Sequence, residues 1–184
     1  MAFGETQWAS LVGHATASGG ALRGIDAGVR KGRPGELVFQ YVLRGEMSGV
    51  RVPAAQQAAA RADGLWKRTC FEAFIVDPAM PGYHELNFSP SREWAAYRFS
   101  GYREGMSPAD VTVPPVIDVR RFDDRLELDA TMHLASLQAH RNLKLALTAV
   151  VEDDSGTLSY WALRHAPGKP DFHHTDGFVL ELTL

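Results

Sequence analysis

From Tyr83 to Pro90 the sequence reads YHELNFSP, and its alternation sends Leu86 and Phe88 to one side of a strand and Tyr83, Glu85, Asn87 and Ser89 to the other. Residues two apart in extended chain share a face, so the Glu85 carboxylate and the Asn87 amide project together. That pairing suits hydroxyl recognition. Of the vicinal hydroxyls of a sugar, a carboxylate accepts the protons, an amide both donates and accepts, and a nearby aromatic ring stacks on the sugar face. The competing reading is the solvated outer face of a half-exposed antiparallel strand, which has the same pattern.

Glu72 lies in TCFEAF, where its neighbours are nearly all apolar, and a carboxylate buried there without a partner is costly. Either it pairs with a cation such as Arg68, Arg98 or Arg164, or it forms the bottom of a polar pocket; the sequence leaves both open. Trp66, Trp94, Tyr97, Tyr102, Tyr160 and Trp161 are available as stacking platforms, with core packing the alternative for each. The segment RHAPGKPDFHHTD from Arg164 to Asp176 gathers Arg164, His165, Lys169, Asp171, His173, His174 and Asp176 around two prolines and a glycine, which is loop composition. His173 and His174 diverge in extended chain and do not readily share a metal, although His165 with Asp171 or Asp176 offers a partial ligand set. We expect no metal there; structural histidines are the alternative.

These residues need strands to hold them. Strand signals run over Leu37 to Glu46, Thr69 to Asp77, Tyr83 to Pro90, Val116 to Arg121, Arg125 to Met132, Leu143 to Asp153, Leu158 to His165 and Gly177 to Leu184, about eight in all. Phe122-Asp123-Asp124 joins two of them as a hairpin, and Asp153-Asp154-Ser155-Gly156 is a strong turn. Helical patterning is confined to Pro53 to Ala62 and Leu134 to Arg141. Many strands without long helices between them favour an antiparallel two-sheet sandwich or barrel over a βαβ fold. No repeat, linker or low-complexity block divides residues 1–184, so one domain is expected.

Composition narrows the function classes. With 45% hydrophobic and 22% charged residues the chain is ordinary globular sequence, and a net charge of −3 with pI near 6.1 lacks the basic field that draws proteins to nucleic acid or anionic lipid. No segment has the apolar length of a membrane span. The lone Cys70 cannot form an internal disulfide, and the first twenty residues lack a signal-peptide pattern, so a cytoplasmic location is expected. GxSxG, GxxxxGK[ST], GxGxxG, HExxH and CxxC are all absent, which lowers the expectation of catalysis.

Three long stretches, LWKRTCFEAFI from Leu65, YHELNFSPSREWAAYRFSGYREGM from Tyr83 and YWALRHAPGKPDFHH from Tyr160, resemble the DOMON-like bacterial domain family, which is similar to the family-9 carbohydrate-binding modules. The resemblance runs from about Leu11 to Leu184 and implies an all-β, antiparallel β-sandwich of jelly-roll type. It further implies a non-catalytic carbohydrate-binding domain, with a saccharide held on a concave sheet face between tryptophans and by carboxylate, amide and basic side chains. Trp66, Glu72, Glu85, Asn87, Trp94, Trp161 and Arg164 supply those side-chain types, and His165 and His173 from the loop join them as candidate ligand-binding residues.

Two other functions stay open. Members of the DOMON superfamily also bind haem, which needs axial ligands such as a Met and a His across an apolar pocket, and Met80, Met106, His84 and His165 are the candidates; their spacing selects no pair, and the sequence names no cofactor. An enzyme would use Glu72 or Glu85 with His165 or His173 as acid and base, and hydrolysis of a sugar would require two carboxylates in one cleft.

Overall fold

The computed structural model describes residues 4–16, 21–134 and 142–184. Among these it contains β1 (Gln7–Gly13), β2 (Leu22–Lys31), β3 (Glu36–Gly45), β4 (Ala60–Arg61), β5 (Cys70–Val76), β6 (Tyr83–Phe88) and β7 (Glu93–Phe99). There follow β8 (Ser107–Pro108), β9 (Val116–Arg121), β10 (Arg125–His133), β11 (Asn142–Glu152), β12 (Leu158–Ala162) and β13 (Leu180–Thr183). The protein is all-β; among the described residues its helical content is three single 3-10 turns, Met47–Gly49, Leu65–Lys67 and Thr175–Gly177. Among the described residues no helix is long and apolar enough to cross a membrane.

The strands form one continuous path, β4-β7-β6-β5-β11-β12-β1-β2-β3-β10-β9, with β8 added beside β7 and β13 beside β11. All pairings are antiparallel except β4 with β7. Strand β1 makes the path continuous: Gln7–Leu11 pair with β2, while Val12 and Gly13 pair with Ala162 and Trp161 of β12.

The path curls so that its two halves face each other. Phe39 and Tyr41 on β3 meet Phe88 on β6 and Phe71 on β5, at ring-centroid distances of 5.6 and 4.9 Å. Around them lie Ile25, Leu43, Leu126 and Leu128 from one half and Ile75, Leu86, Leu145 and Leu147 from the other, all buried. Burying each such side chain contributes about 1.5–3 kcal/mol, so this interior fixes the curl. The alternation that marks these strands in the sequence is the alternation of burial: in β10, Leu126, Leu128, Ala130 and Met132 point inward, while Glu127 and Asp129 point out to Arg120 at 2.9 and 2.6 Å.

The expected strands are present with ends shifted by a few residues, and β1, β2, β4, β7 and β8 are additional. The helix expected over Pro53–Ala62 is not formed. This segment instead lies along the edge of β7, where Gln56 N donates to Ser91 O at 2.8 Å and Ala62 N to Trp94 O at 3.0 Å, and backbone pairing with an unfilled sheet edge overrides helix propensity. The helix expected over Leu134–Arg141 falls outside the described residues beyond Leu134.

Candidate functional site

Strands β5, β6, β7, β11 and β12 have one face in the shared core and a second face on the other side of the sheet. Strand register decides what that second face carries. Phe71, Ala73 and Ile75 face the core, so Glu72 and Phe74 face away; Leu86 and Phe88 face the core, so Glu85 and Asn87 face away. By the same rule β7 contributes Tyr97 and Phe99, β11 contributes Thr148 and Val150, and β12 contributes Tyr160.

This second face is not open to water, which overturns the solvated-strand reading. Tyr83, Glu85 and Asn87 are buried because the 3-10 turn at Leu65–Lys67, the Tyr102–Met106 turn and the segment Leu163–Phe178 fold over them. Between cover and sheet remains a pocket of about 360 Å³, within the range of small-molecule sites. Glu72, Glu85, Arg103 and His173 supply its polar lining; Trp66, Phe74, Phe99, Tyr160 and Phe172 supply its aromatic walls, with Met106, Val150 and Pro170 between them. A wider depression of about 780 Å³ at Arg23, Glu46, Ser48, Asp153 and Asp154 has no aromatic ring to stack on.

The carboxyls are held unequally. Glu72 stands directly across from Asn87 in the β5–β6 register, which makes Glu85 its diagonal neighbour on the same face. Asn87 Nδ2 donates to Glu85 Oε1 at 2.8 Å, and the Asn87 carbonyl oxygen lies 3.8 Å from the Cys70 thiol. Glu72 Oε2 accepts from the Thr148 hydroxyl at 3.3 Å, but Glu72 Oε1 is buried without a partner. Burial, and next the neighbouring Glu85 carboxylate, push the Glu72 carboxyl well above the usual carboxylate range; the Thr148 bond offsets only part of this. Glu85 is also raised by burial, with Asn87 and Arg103 opposing.

The cover is fastened at its aromatic end. His173 packs on Phe74 and Phe99, both at 5.1 Å, and its Nδ1 lies 2.7 Å from the Tyr83 hydroxyl, which also accepts from Arg103 N at 3.2 Å. Since that backbone N–H already donates to Tyr83, the phenol is free to donate to Nδ1, leaving Nε2–H directed at Glu85 Oε2, 3.7 Å away. Asp171 accepts from Arg103 Nη2 at 2.7 Å, from His173 N at 3.1 Å and from the Tyr102 hydroxyl. Burial, reinforced by Arg103, lowers the His173 imidazole to about 4 despite Asp171, so it is neutral at neutral pH.

Of the residues singled out from sequence, Trp66, Glu72, Glu85 and His173 line this pocket and Asn87 lies behind it, orienting Glu85. Glu72 takes the pocket position rather than an ion pair, because Arg68 is bound to Glu152 at 2.9 Å. Four candidates lie elsewhere. Trp94 sits on the core face of β7 under the Arg61 guanidinium, and Trp161 packs toward the core and donates from Nε1 to Ser159 Oγ at 3.0 Å. Arg164 is exposed beyond the end of β12, and His165 turns away to the Val12 carbonyl at 2.8 Å and the His14 ring. Of the haem-ligand candidates only Met106 lines the pocket; Met80 is exposed in the β5–β6 turn, and His84 is on the opposite side of β6 from Glu85. Among the described residues no group of three or more His, Cys, Asp and Glu could hold a metal ion.

Arg103, Phe99 and Phe172 were not among the sequence candidates. Phe99 had a signal, since it continues the period-two pattern from Tyr97. Arg103 had none: it reaches the pocket from a tight turn closed by Glu104 N to Gly101 O, with its own φ at 56°.

Neither a protein-family model nor a curated protein matches this sequence. Solved structures do. The fold is similar to that of a proposed carbohydrate-binding protein from Bacteroides uniformis ATCC 8492, at 13% identity and a TM-score of 0.69 over 95% of this chain and 84% of that one. It is also similar to a family-9 carbohydrate-binding module from Caldicellulosiruptor kristjanssonii solved with cellotriose, at 10% identity and 0.54 over 89% and 75% of the two chains. A structure of a family-9 module from the same organism with glucose gives 10% identity and 0.50 over 84% and 72%. At these identities the likeness is one of fold.

Proposed function

We propose that this protein binds a small saccharide or sugar derivative in the pocket between Glu72, Glu85 and the aromatic walls, as a non-catalytic module of the DOMON-like, family-9-like type, and that its curled sheet is a two-sheet jelly-roll sandwich. The observation that carries this reading is the meeting of two buried carboxyls with Trp66, Tyr160 and Phe172 in one pocket of about 360 Å³. Acceptors for hydroxyl protons beside rings for the apolar sugar face are what a pyranose requires. Structural neighbours that hold cellotriose and glucose support it.

The test is titration calorimetry and ligand-observed NMR against a panel of mono- and disaccharides, with Glu85→Gln and Trp66→Ala beside the native chain. Binding that weakens about tenfold or more in both variants is expected, from loss of a charge-assisted hydrogen bond and of a stacking surface. Absence of binding to every sugar at millimolar concentration would exclude the reading.

One observation favours a second reading. Glu72 and Glu85 share a face and a pocket, and Glu72 is shifted toward the protonated form a general acid needs. Release of nitrophenol from nitrophenyl glycosides by the native chain, abolished in Glu72→Gln, would replace the binding module with a glycosidase; no turnover by a chain that binds sugar leaves the module.

A further inference from the structure

We infer that the group this pocket recognises is a cation: a primary ammonium, carried on a saccharide as an amino sugar, seated between the carboxyls of Glu72 and Glu85. The sugar part of this statement rests on the reading above; the cation part rests on the charge and hydrogen-bond inventory of the pocket alone.

Every element packed against the two carboxyls can be checked for a compensating charge. From β11 comes the Thr148 hydroxyl, from β5 the Cys70 thiol, from β3 the Tyr41 hydroxyl, which is spent on the Glu72 backbone carbonyl at 2.7 Å. From β6 come Asn87 and Tyr83 and from β7 comes Tyr97, across from Glu85, none of them a cation. The cover brings Arg103, Asp171 and His173. Arg103 is committed to Asp171 at 2.7 Å, and the His173 imidazole is uncharged at neutral pH. Among the described residues no cation makes an ion pair with Glu72, and those facing Glu85 are Arg103, which lowers its carboxyl while bound to Asp171, and the uncharged His173.

The hydrogen-bond inventory leads to the same place independently. Glu72 is 3% exposed, lines the pocket, and has a buried Oε1 with no donor. A buried acceptor left empty costs on the order of 1–3 kcal/mol unless something arrives to fill it. A sugar hydroxyl would fill it with one donor and no charge, and Glu72 would have to keep its proton because Glu85 remains beside it. An ammonium carries three donors and one positive charge in a compact head, enough to bond both carboxyls and let Glu72 ionise. The aromatic walls then take the ring that bears it, and Trp66, Tyr160 and Phe172 offer π faces suited to a cationic ligand.

Association would shift one proton: protonated Glu72 gives its proton to solvent as the ammonium takes its place, so binding near neutral pH releases up to about one proton. The experiment is calorimetry of the full chain at pH 7, in two buffers of different ionisation enthalpy, with glucose, N-acetylglucosamine, glucosamine and cyclohexylamine. Glucosamine is expected to bind about tenfold or more tightly than either neutral sugar, with net proton release, and this preference collapses in Glu72→Gln. Equal affinity for glucosamine and glucose overturns the inference and leaves the saccharide reading standing. Binding of cyclohexylamine when no sugar binds upholds the cation and overturns the saccharide. If none of the four binds, the inference falls, and the saccharide reading is decided by the wider panel of sugars. Should Glu72→Gln fail to fold, proton release by the native chain decides: glucosamine binding without it overturns the inference.

Discussion

Tyr83 and Phe99 lie face to face across the β6–β7 register, 4.8 Å between ring centroids and 5° between planes, so that one stacked pair floors the fastened end of the cover. The stack requires the chain to enter β6 tight against the end of β7. Gly82 makes that entry: its φ is +76°, and a Cβ added there would collide with the Phe99 carbonyl oxygen.

Gly82→Ala is therefore expected to destabilise the fold by about 2 kcal/mol or more, since it adds strain to a backbone clash that cannot relax cheaply. Gly168→Ala, at φ +100° with nothing within 4 Å of the new Cβ, should cost about half as much. Thermal melts of the two variants provide the comparison, and equal losses would contradict the Gly82 packing.

Phe88→Ala should cost about 3–5 kcal/mol in urea unfolding, because the ring is fully buried where the two halves of the curled sheet meet and its loss leaves a cavity against Phe39. Phe122, 39% exposed beneath the Arg125 guanidinium, is the surface counterpart, and its alanine variant should stay within about 1 kcal/mol of the native chain.

The His173 ring should remain neutral at pH 6 and take up a proton only near pH 4, read by NMR of its ring carbons and nitrogens. Its folded value lies below its ordinary 6.5, so the stability it contributes is present above pH 6.5 and is lost as pH falls through about 4. An ordinary titration between pH 6 and 7 would mean that water and ions reach the ring freely.

Glu72 has the opposite sign. Its folded carboxyl sits above its ordinary value, so its contribution is complete below about pH 4.5 and is lost as pH rises through the folded value. Replacing it with the neutral isostere in Glu72→Gln should raise Tm relative to the native chain by a few degrees at pH 8, corresponding to about 1 kcal/mol, and by much less at pH 4.5. A difference that does not change with pH would show that the folded Glu72 carboxyl titrates as it does in the unfolded chain.

Asp171→Ala removes the acceptor shared by Arg103, Tyr102 and His173 and should loosen the cover while leaving the sheet intact. Hydrogen exchange is expected to speed up roughly tenfold in the 163–178 segment and to stay unchanged in β2, β3 and β10. Uniform acceleration throughout the chain would instead mark Asp171 as a determinant of global stability.

Much of the fold was legible because strand alternation is a local signal: Leu126, Leu128 and Ala130 against Glu127 and Asp129 give both β10 and its inner face. The same signal placed Glu85 with Asn87. It did not say that this face is covered, because the cover comes from Leu163–Phe178, whose distance in sequence hides its proximity in space. Trp161 and Trp94 were candidates by residue type and resemblance, whereas alternation in β12 and β7 turns both toward the core and presents Tyr160 and Phe99 instead. Pro53–Ala62 reads as a helix by composition and is extended by circumstance, since an edge strand offers it backbone partners. Arg103 depends on a positive φ in a turn, which no pattern of residue types announces.

The division of β1 between two neighbours, Gln7–Leu11 against β2 and Val12–Gly13 against β12, makes this short strand the seam of the molecule. Its first partner follows it directly in the chain, but its second cannot exist until the ribosome has passed Ala162. While residues 32–162 are being made, the nascent chain therefore carries a half-zipped strand, and the last stitch joins two segments about 150 residues apart in sequence.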